Sequence, residues 1–199
     1  VDELPSPAEA AWYAEGSAVG AKGSPPAYAP RHMAAAGDKR TLVLWSIPPS
    51  QEVHQWLLES VQPQVVHVCG RSTTVDTWEA IRDEVARMCK FALVREGVAD
   101  VGRMAARIGA TEAIVRHALR WLAAMGALAL GEWEEGDRVR LYASTRARAE
   151  AEASRNGHNL GNRDDTSENS EPVDRGNADE IRAQVEMLIA EMRAWRTFF

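Results

Sequence analysis

The alternation of apolar and polar positions becomes regular at Thr41. Thr41-Leu42-Val43-Leu44-Trp45 is a continuous apolar run closed by Ser46-Ile47-Pro48-Pro49-Ser50, the pattern of a buried strand followed by a turn and a helix N-cap. Val53, Trp56, Leu57 and Val61 recur at helical spacing through residues 51–61, Pro63 stops that helix, and Val65-Val66-His67-Val68-Cys69 reads as a second buried strand closing at Gly70. Strand, helix and strand in this order make a βαβ unit over 41–75, with parallel strands and a right-handed crossover. Two strands make a poor sheet, so further strands are expected from an upstream part of the protein or from elsewhere in the chain.

The period then stays helical. Asp76 or Thr77 can cap a helix running to about Val94, with Trp78, Ile81, Val85, Met88, Cys89 and Ala92 on one apolar stripe. Asp100 caps a shorter helix, with Val101, Met104, Ala105 and Ile108 inward and Gly109 at its end. Thr111 caps a third, with Ile114, Val115, Ala118, Leu119, Leu122 and Met125 inward and Gly126 as a left-handed stop. Leu128 and Leu130, a turn at Glu135-Gly136-Asp137, then Val139 and Leu141 give a hairpin. Three helices and a hairpin in that order define a winged helix over 76–144.

The remaining segments have other characters. Residues 1–40 are rich in Ala, Pro and Gly without a sustained period, and read as a linker or the remnant of a preceding domain in which Trp12 and Tyr13 stand as isolated aromatics. Residues 145–177 begin basic and pass into a low-complexity run of Asn, Asp, Glu, Ser and Gly, which reads as a disordered linker. Over 178–199 the apolar face returns at Ile181, Val185, Leu188, Ile189, Met192 and Trp195, giving a C-terminal amphipathic helix. The fold class expected is therefore α/β plus α+β: a βαβ unit, a winged helix, and a C-terminal helix after a disordered linker.

Composition narrows the function classes. With 45% hydrophobic and 26% charged side chains, 199 residues suit one or two small globular domains. A formal net charge of −6 excludes coating of nucleic acid by bulk charge, so any DNA contact has to come from a local basic face. Cys69 and Cys89 have no CxxC spacing and sit in apolar stretches as small hydrophobes, which favours a reducing, cytoplasmic setting. No apolar window approaches the length of a membrane span, no signal-peptide order is present, and the start at Val1 suggests a fragment of a longer protein.

Candidate chemistry is sparse. His32, His54, His67, His117 and His158 lie in different segments without metal-ligand spacing. The first strand-to-helix turn holds Pro48 and Pro49, which lack the backbone donors a phosphate cradle uses. Ser46 and Ser50 have no GxSxG around them, and Ser50 is explained as a helix cap. No catalytic or metal-binding residue is assigned. The helix capped by Thr111 carries the one specific reading: its outer face shows Glu112, Arg116, His117 and Arg120, and in a DNA-binding winged helix this element enters the major groove. Arg103 and Arg107 on the preceding helix, and Arg138 and Arg140 in the wing, would add phosphate contacts. Glu132, Glu134, Glu135 and Asp137 make the wing tip acidic and oppose that use. Two alternatives stand beside it: a free-standing winged helix transcriptional regulator, and a protein docking module that uses the C-terminal aromatics or the βαβ surface.

Several blocks also resemble a known family. Leu42-Val43-Leu44-Trp45-Ser46-Ile47-Pro48-Pro49-Ser50, Val65-Val66-His67-Val68-Cys69-Gly70-Arg71, Lys90-Phe91-Ala92-Leu93, Ala105-Ala106-Arg107-Ile108-Gly109 and Leu119-Arg120-Trp121-Leu122-Ala123-Ala124-Met125-Gly126 resemble, in order, the C-terminal accessory region of RecJ-type single-stranded-DNA-specific exonucleases. The end, Ala190-Glu191-Met192-Arg193-Ala194-Trp195-Arg196-Thr197-Phe198-Phe199, is similar to the last helix of such proteins. The resemblance implies a 5′ to 3′ exonuclease of DNA recombination and repair, whose phosphoesterase core holds Mg²⁺ or Mn²⁺ on aspartates and histidines. This sequence has no Asp-His-His triplet, so no catalytic residue is carried over. What remains implied is a non-catalytic region of that hydrolase, with no cofactor of its own. It would hold single-stranded DNA, a repair protein or a single-stranded-DNA-binding protein near the rest of the exonuclease chain.

Overall fold

A computed structural model describes residues 4–16, 39–71, 75–144 and 175–198. Short polar side chains start four of the five helices among them. Ser50, Thr77, Asp100 and Thr111 have extended backbones, and each accepts a hydrogen bond from the backbone N–H three residues on. In chain order the elements are β1 (Ala11–Tyr13), β2 (Thr41–Ser46), α1 (Gln51–Val61), β3 (Val65–Arg71), α2 (Trp78–Arg95), β4 (Val98–Asp100), α3 (Val101–Ile108), α4 (Glu112–Ala124), β5 (Leu128–Glu134), β6 (Arg138–Ala143) and α5 (Arg175–Arg196). Gly97 and Gly109 take left-handed φ angles of 67° and 75° just beyond α2 and α3, where a side chain would be strained.

The first sheet has the order β1-β2-β3, all parallel, with Leu42 opposite Ala11 and Val66. Its centre is β2, whose Leu42, Val43, Leu44 and Trp45 are buried on both faces, as a continuous apolar run requires. Helix α1 lays Leu57 and Val61 against Tyr13, Leu42 and Leu44. Two expectations are corrected here. Residues 1–40, read as a linker or remnant, contain strand β1: Tyr13 is buried, and the Glu15 N–H donates to Ser46 Oγ at 2.8 Å. The third strand that the sheet needed thus comes from within that segment. Strand β3, read as buried, is an edge strand with Val65, Val66 and Val68 exposed, because nothing among the described residues lies beyond it.

The second core is larger. Trp78, Ile81, Val85 and Cys89 of α2 meet Val101, Met104 and Ile108 of α3 and Ile114, Ala118, Leu119 and Leu122 of α4. The antiparallel sheet β4-β6-β5 closes it with Leu128, Val139 and Leu141. Met88 and Ala92, placed inward by the spacing, are half-buried: they pack against this core and also border a surface groove.

Helix α5 joins this core rather than standing apart from it. Val185, Ile189 and Met192 are buried in the same cluster as Ile81 and Leu119, and the helix begins at Arg175, three residues ahead of the expected start. The rest of the expected disordered linker, 145–174, lies outside the described residues. At its far end Trp195 Nε1 donates to the Pro48 carbonyl at 3.1 Å, and the Trp195 ring sits 5.9 Å from that of His54. Arg196 donates to the Gly109 carbonyl. Desolvation by burial lowers the His54 pKa. The chain is a mixed α/β protein with two small sheets, and no helix among the described residues is long and apolar enough to cross a membrane.

Candidate functional site

The seven candidate residues do not form one surface. On α4, Arg120 alone is exposed, because α5 runs alongside the face that carries Arg116, His117 and Arg120. Arg116 pairs with Asp137 through both guanidinium and carboxylate atoms, Nε to Oδ1 at 3.0 Å, and so ties α4 to the β5–β6 turn. His117 Nδ1 lies 2.8 Å from the Ala113 carbonyl of its own helix, and the ring is half-buried beside the start of α5. Arg140 reaches Glu134 across the hairpin at 3.2 Å. Asp137 and Glu134, seen in the sequence as repelling DNA, are partners that occupy two of the arginines.

The other three converge. Arg103 and Arg107 of α3 and Arg138 of β6 line an open groove of about 720 Å³ between α2, β4 and α3. Opposite them α2 supplies Arg87, Phe91 and Arg95, four residues apart each time and hence on one helix face. Five arginines thus face one groove against Glu96 and Asp100. Arg87 donates to Glu84 at 2.9 Å, and Arg103 Nε lies 3.4 Å from Asp100. Arg107 and Arg138 make no ion pair among the described residues. The Arg95 guanidinium lies over the Phe91 ring, 4.8 Å from its centre, while Phe91 remains 62% exposed. Arg87, Phe91 and Arg95 were not singled out from the sequence. The signal was there, as an i, i+4, i+8 series on the polar side of a helix whose buried side is Ile81, Val85 and Cys89.

No family model, curated protein or solved structure matches the chain.

A second concavity, of about 810 Å³, lies between the starts of α1 and α4, the β5–β6 turn and α5. Its charged lining is Glu52, Glu112, Asp137 and Glu191 with Arg116, so its field opposes phosphate. A hydrogen bond from the Ser50 hydroxyl, and after it one from its own backbone N–H, hold the Glu52 carboxyl below the usual carboxylate range. Among the described residues no three His, Cys, Asp or Glu side chains come together as metal ligands. Cys89 is buried, and desolvation pushes its thiol up to about 12, which makes it a poor nucleophile. Burial also raises the half-buried Cys69 thiol, against a smaller opposing effect of Arg71.

Proposed function

We propose that the chain is the non-catalytic C-terminal region of a RecJ-like single-stranded-DNA exonuclease, and that the groove between α2 and α3 is where it holds DNA. In this reading β2-α1-β3 is the βαβ unit, and residues 76–144 are a winged helix that contacts DNA through its first two helices rather than through α4. One observation carries the reading: in a chain of net charge −6, five arginines and an exposed phenylalanine share one open groove. Guanidinium groups bind phosphate by bidentate hydrogen bonds, and among the described residues Arg107 and Arg138 have no carboxylate to release first. The Mg²⁺ or Mn²⁺ of such an enzyme belongs to its phosphoesterase core. Nothing among the described residues fits that ion, so no hydrolytic step is assigned to this chain.

The regulator alternative needs the outer face of α4, and α5 lies along it. Docking to the rest of the exonuclease is favoured by β3, whose exposed valines and open edge can accept a further strand.

Titration of a labelled oligodeoxythymidine at several salt concentrations tests the groove. Each phosphate contacted contributes a slope of about −0.7 in log affinity against log salt for single strands, so Arg107→Glu with Arg138→Glu should lower the slope by at least about 1.4 and weaken binding more than tenfold. Binding and slope unchanged in that double variant would end the proposal.

A further inference from the structure

We infer that Phe91, backed by Arg95, is a base-stacking station within the groove, so that the site engages a nucleic acid strand through an unpaired base as well as through its phosphates. The inference rests on the reading of the groove as a DNA site and adds what that reading leaves open, namely which part of the strand is recognised.

A single exposed phenylalanine is ordinary. Phe91 differs in its setting. It lies on the wall of a concave surface, between Arg87 one turn before it and Arg95 one turn after it, and across from Arg103 and Arg107. Arg95 lies over the ring, 4.8 Å from its centre, and 62% of the residue remains exposed. A guanidinium behind a ring fixes the ring's orientation, and removes the cost of ordering it when a flat ligand arrives. The half-buried Met88 beside it extends the apolar floor with a polarizable, adaptable side chain.

A nucleobase fits this combination. It is flat and polarizable, it stacks on phenylalanine whatever its identity, and it brings a phosphate on each side within reach of the flanking arginines. A base inside a duplex is stacked on both faces by its neighbours and cannot reach Phe91 unless it is extruded. A groove of arginines alone would bind phosphate in either form. The ring is what makes an unpaired base worth more than a paired one.

The test uses the full chain and two labelled deoxyoligonucleotides of equal length and equal phosphate number, one of thymidines and one with abasic sites throughout. Stacking of one base predicts that the thymidine strand binds roughly 5- to 150-fold tighter than the abasic strand. Phe91→Ala should abolish this difference, and Phe91→Trp should preserve it. Because Phe91 is on the surface, Phe91→Ala should keep the parent's far-ultraviolet circular dichroism. Strand-internal 2-aminopurine should be quenched on binding to the parent and not on binding to Phe91→Ala. Equal binding of both strands, with Arg107→Glu weakening both, would overturn the stacking station and leave the DNA-holding groove intact. If neither strand binds, both readings fall together.

Discussion

Whether α5 is part of the core or an appendage decides whether the outer face of α4 is ever uncovered, and Ile189→Ala separates the two cases. Ile189 is buried in the cluster that contains Ile81, Ile114 and Leu122. The substitution removes three buried carbons, worth about 0.8 kcal/mol each by transfer, hence ~2.4 kcal/mol before any cavity is counted. The cavity adds to this, and Ile-to-Ala changes in cores fall between about 2 and 5 kcal/mol. Against a total stability of roughly 5–15 kcal/mol, that is a large fraction. Urea unfolding followed in parallel by tryptophan fluorescence and far-ultraviolet circular dichroism measures it. Trp78 and Trp121, packed edge to face at 5.1 Å within this unit, report on the core itself. The midpoints of both signals should fall together by the full amount. Met187→Ala, on the exposed side of the same helix, should change stability by less than about 0.5 kcal/mol. If Ile189→Ala melted α5 in a separate early transition and left the main midpoint in place, α5 would be a detachable cover and α4 would regain a free face.

Two further outcomes follow from the same packing. For Cys89 the folded thiol titrates at about 12 against 9.0 for the ordinary group, so between these values the unfolded chain binds fewer protons and stability falls as pH rises. Urea midpoints above pH 9 should therefore decline more steeply in the parent than in Cys89→Ala, and parallel pH profiles would contradict the burial of this thiol. Arg116→Ala should cost about 0.5–1.5 kcal/mol, limited by the partial exposure of its pair with Asp137, with no loss of oligonucleotide binding. A tenfold loss of binding in Arg116→Ala would return α4 to the interface.

The helices and their starts were legible because their signals are local. Ser50, Thr77, Asp100 and Thr111 cap where the sequence places them, and the turn between β5 and β6 falls at Glu135-Gly136-Asp137. What was not legible depends on partners distant in sequence. Ala11-Trp12-Tyr13 is too short to show a period, and becomes a strand by pairing with Leu42, Val43 and Leu44. The valines of β3 read as a buried strand, and its edge position was not legible, since composition does not say whether a neighbour is present. The apolar face of α5 announced that it would be buried, not that it would lie beside α4. Arg116 and Asp137 are 21 residues apart, so a cation that looked ready for DNA and an anion that looked hostile to it were one structural pair.

The acidic concavity and the groove adjoin at neighbouring residues: Gly102 borders the first and Arg103 the second, as do Asp137 and Arg138. The sign of the local field therefore reverses across the start of α3 and the β5–β6 turn. At physiological salt, charges act over about 8 Å, so neither the net charge of −6 nor the acidic side cancels the groove at contact range. The acidic side instead limits where a strand can continue. On the proposed reading, a polyanion held at Arg107 and Arg138 avoids Glu112 and Glu191 and follows the face of α2 past Phe91, so the same charge arrangement that attracts the strand also delivers its bases to the one exposed ring in the groove.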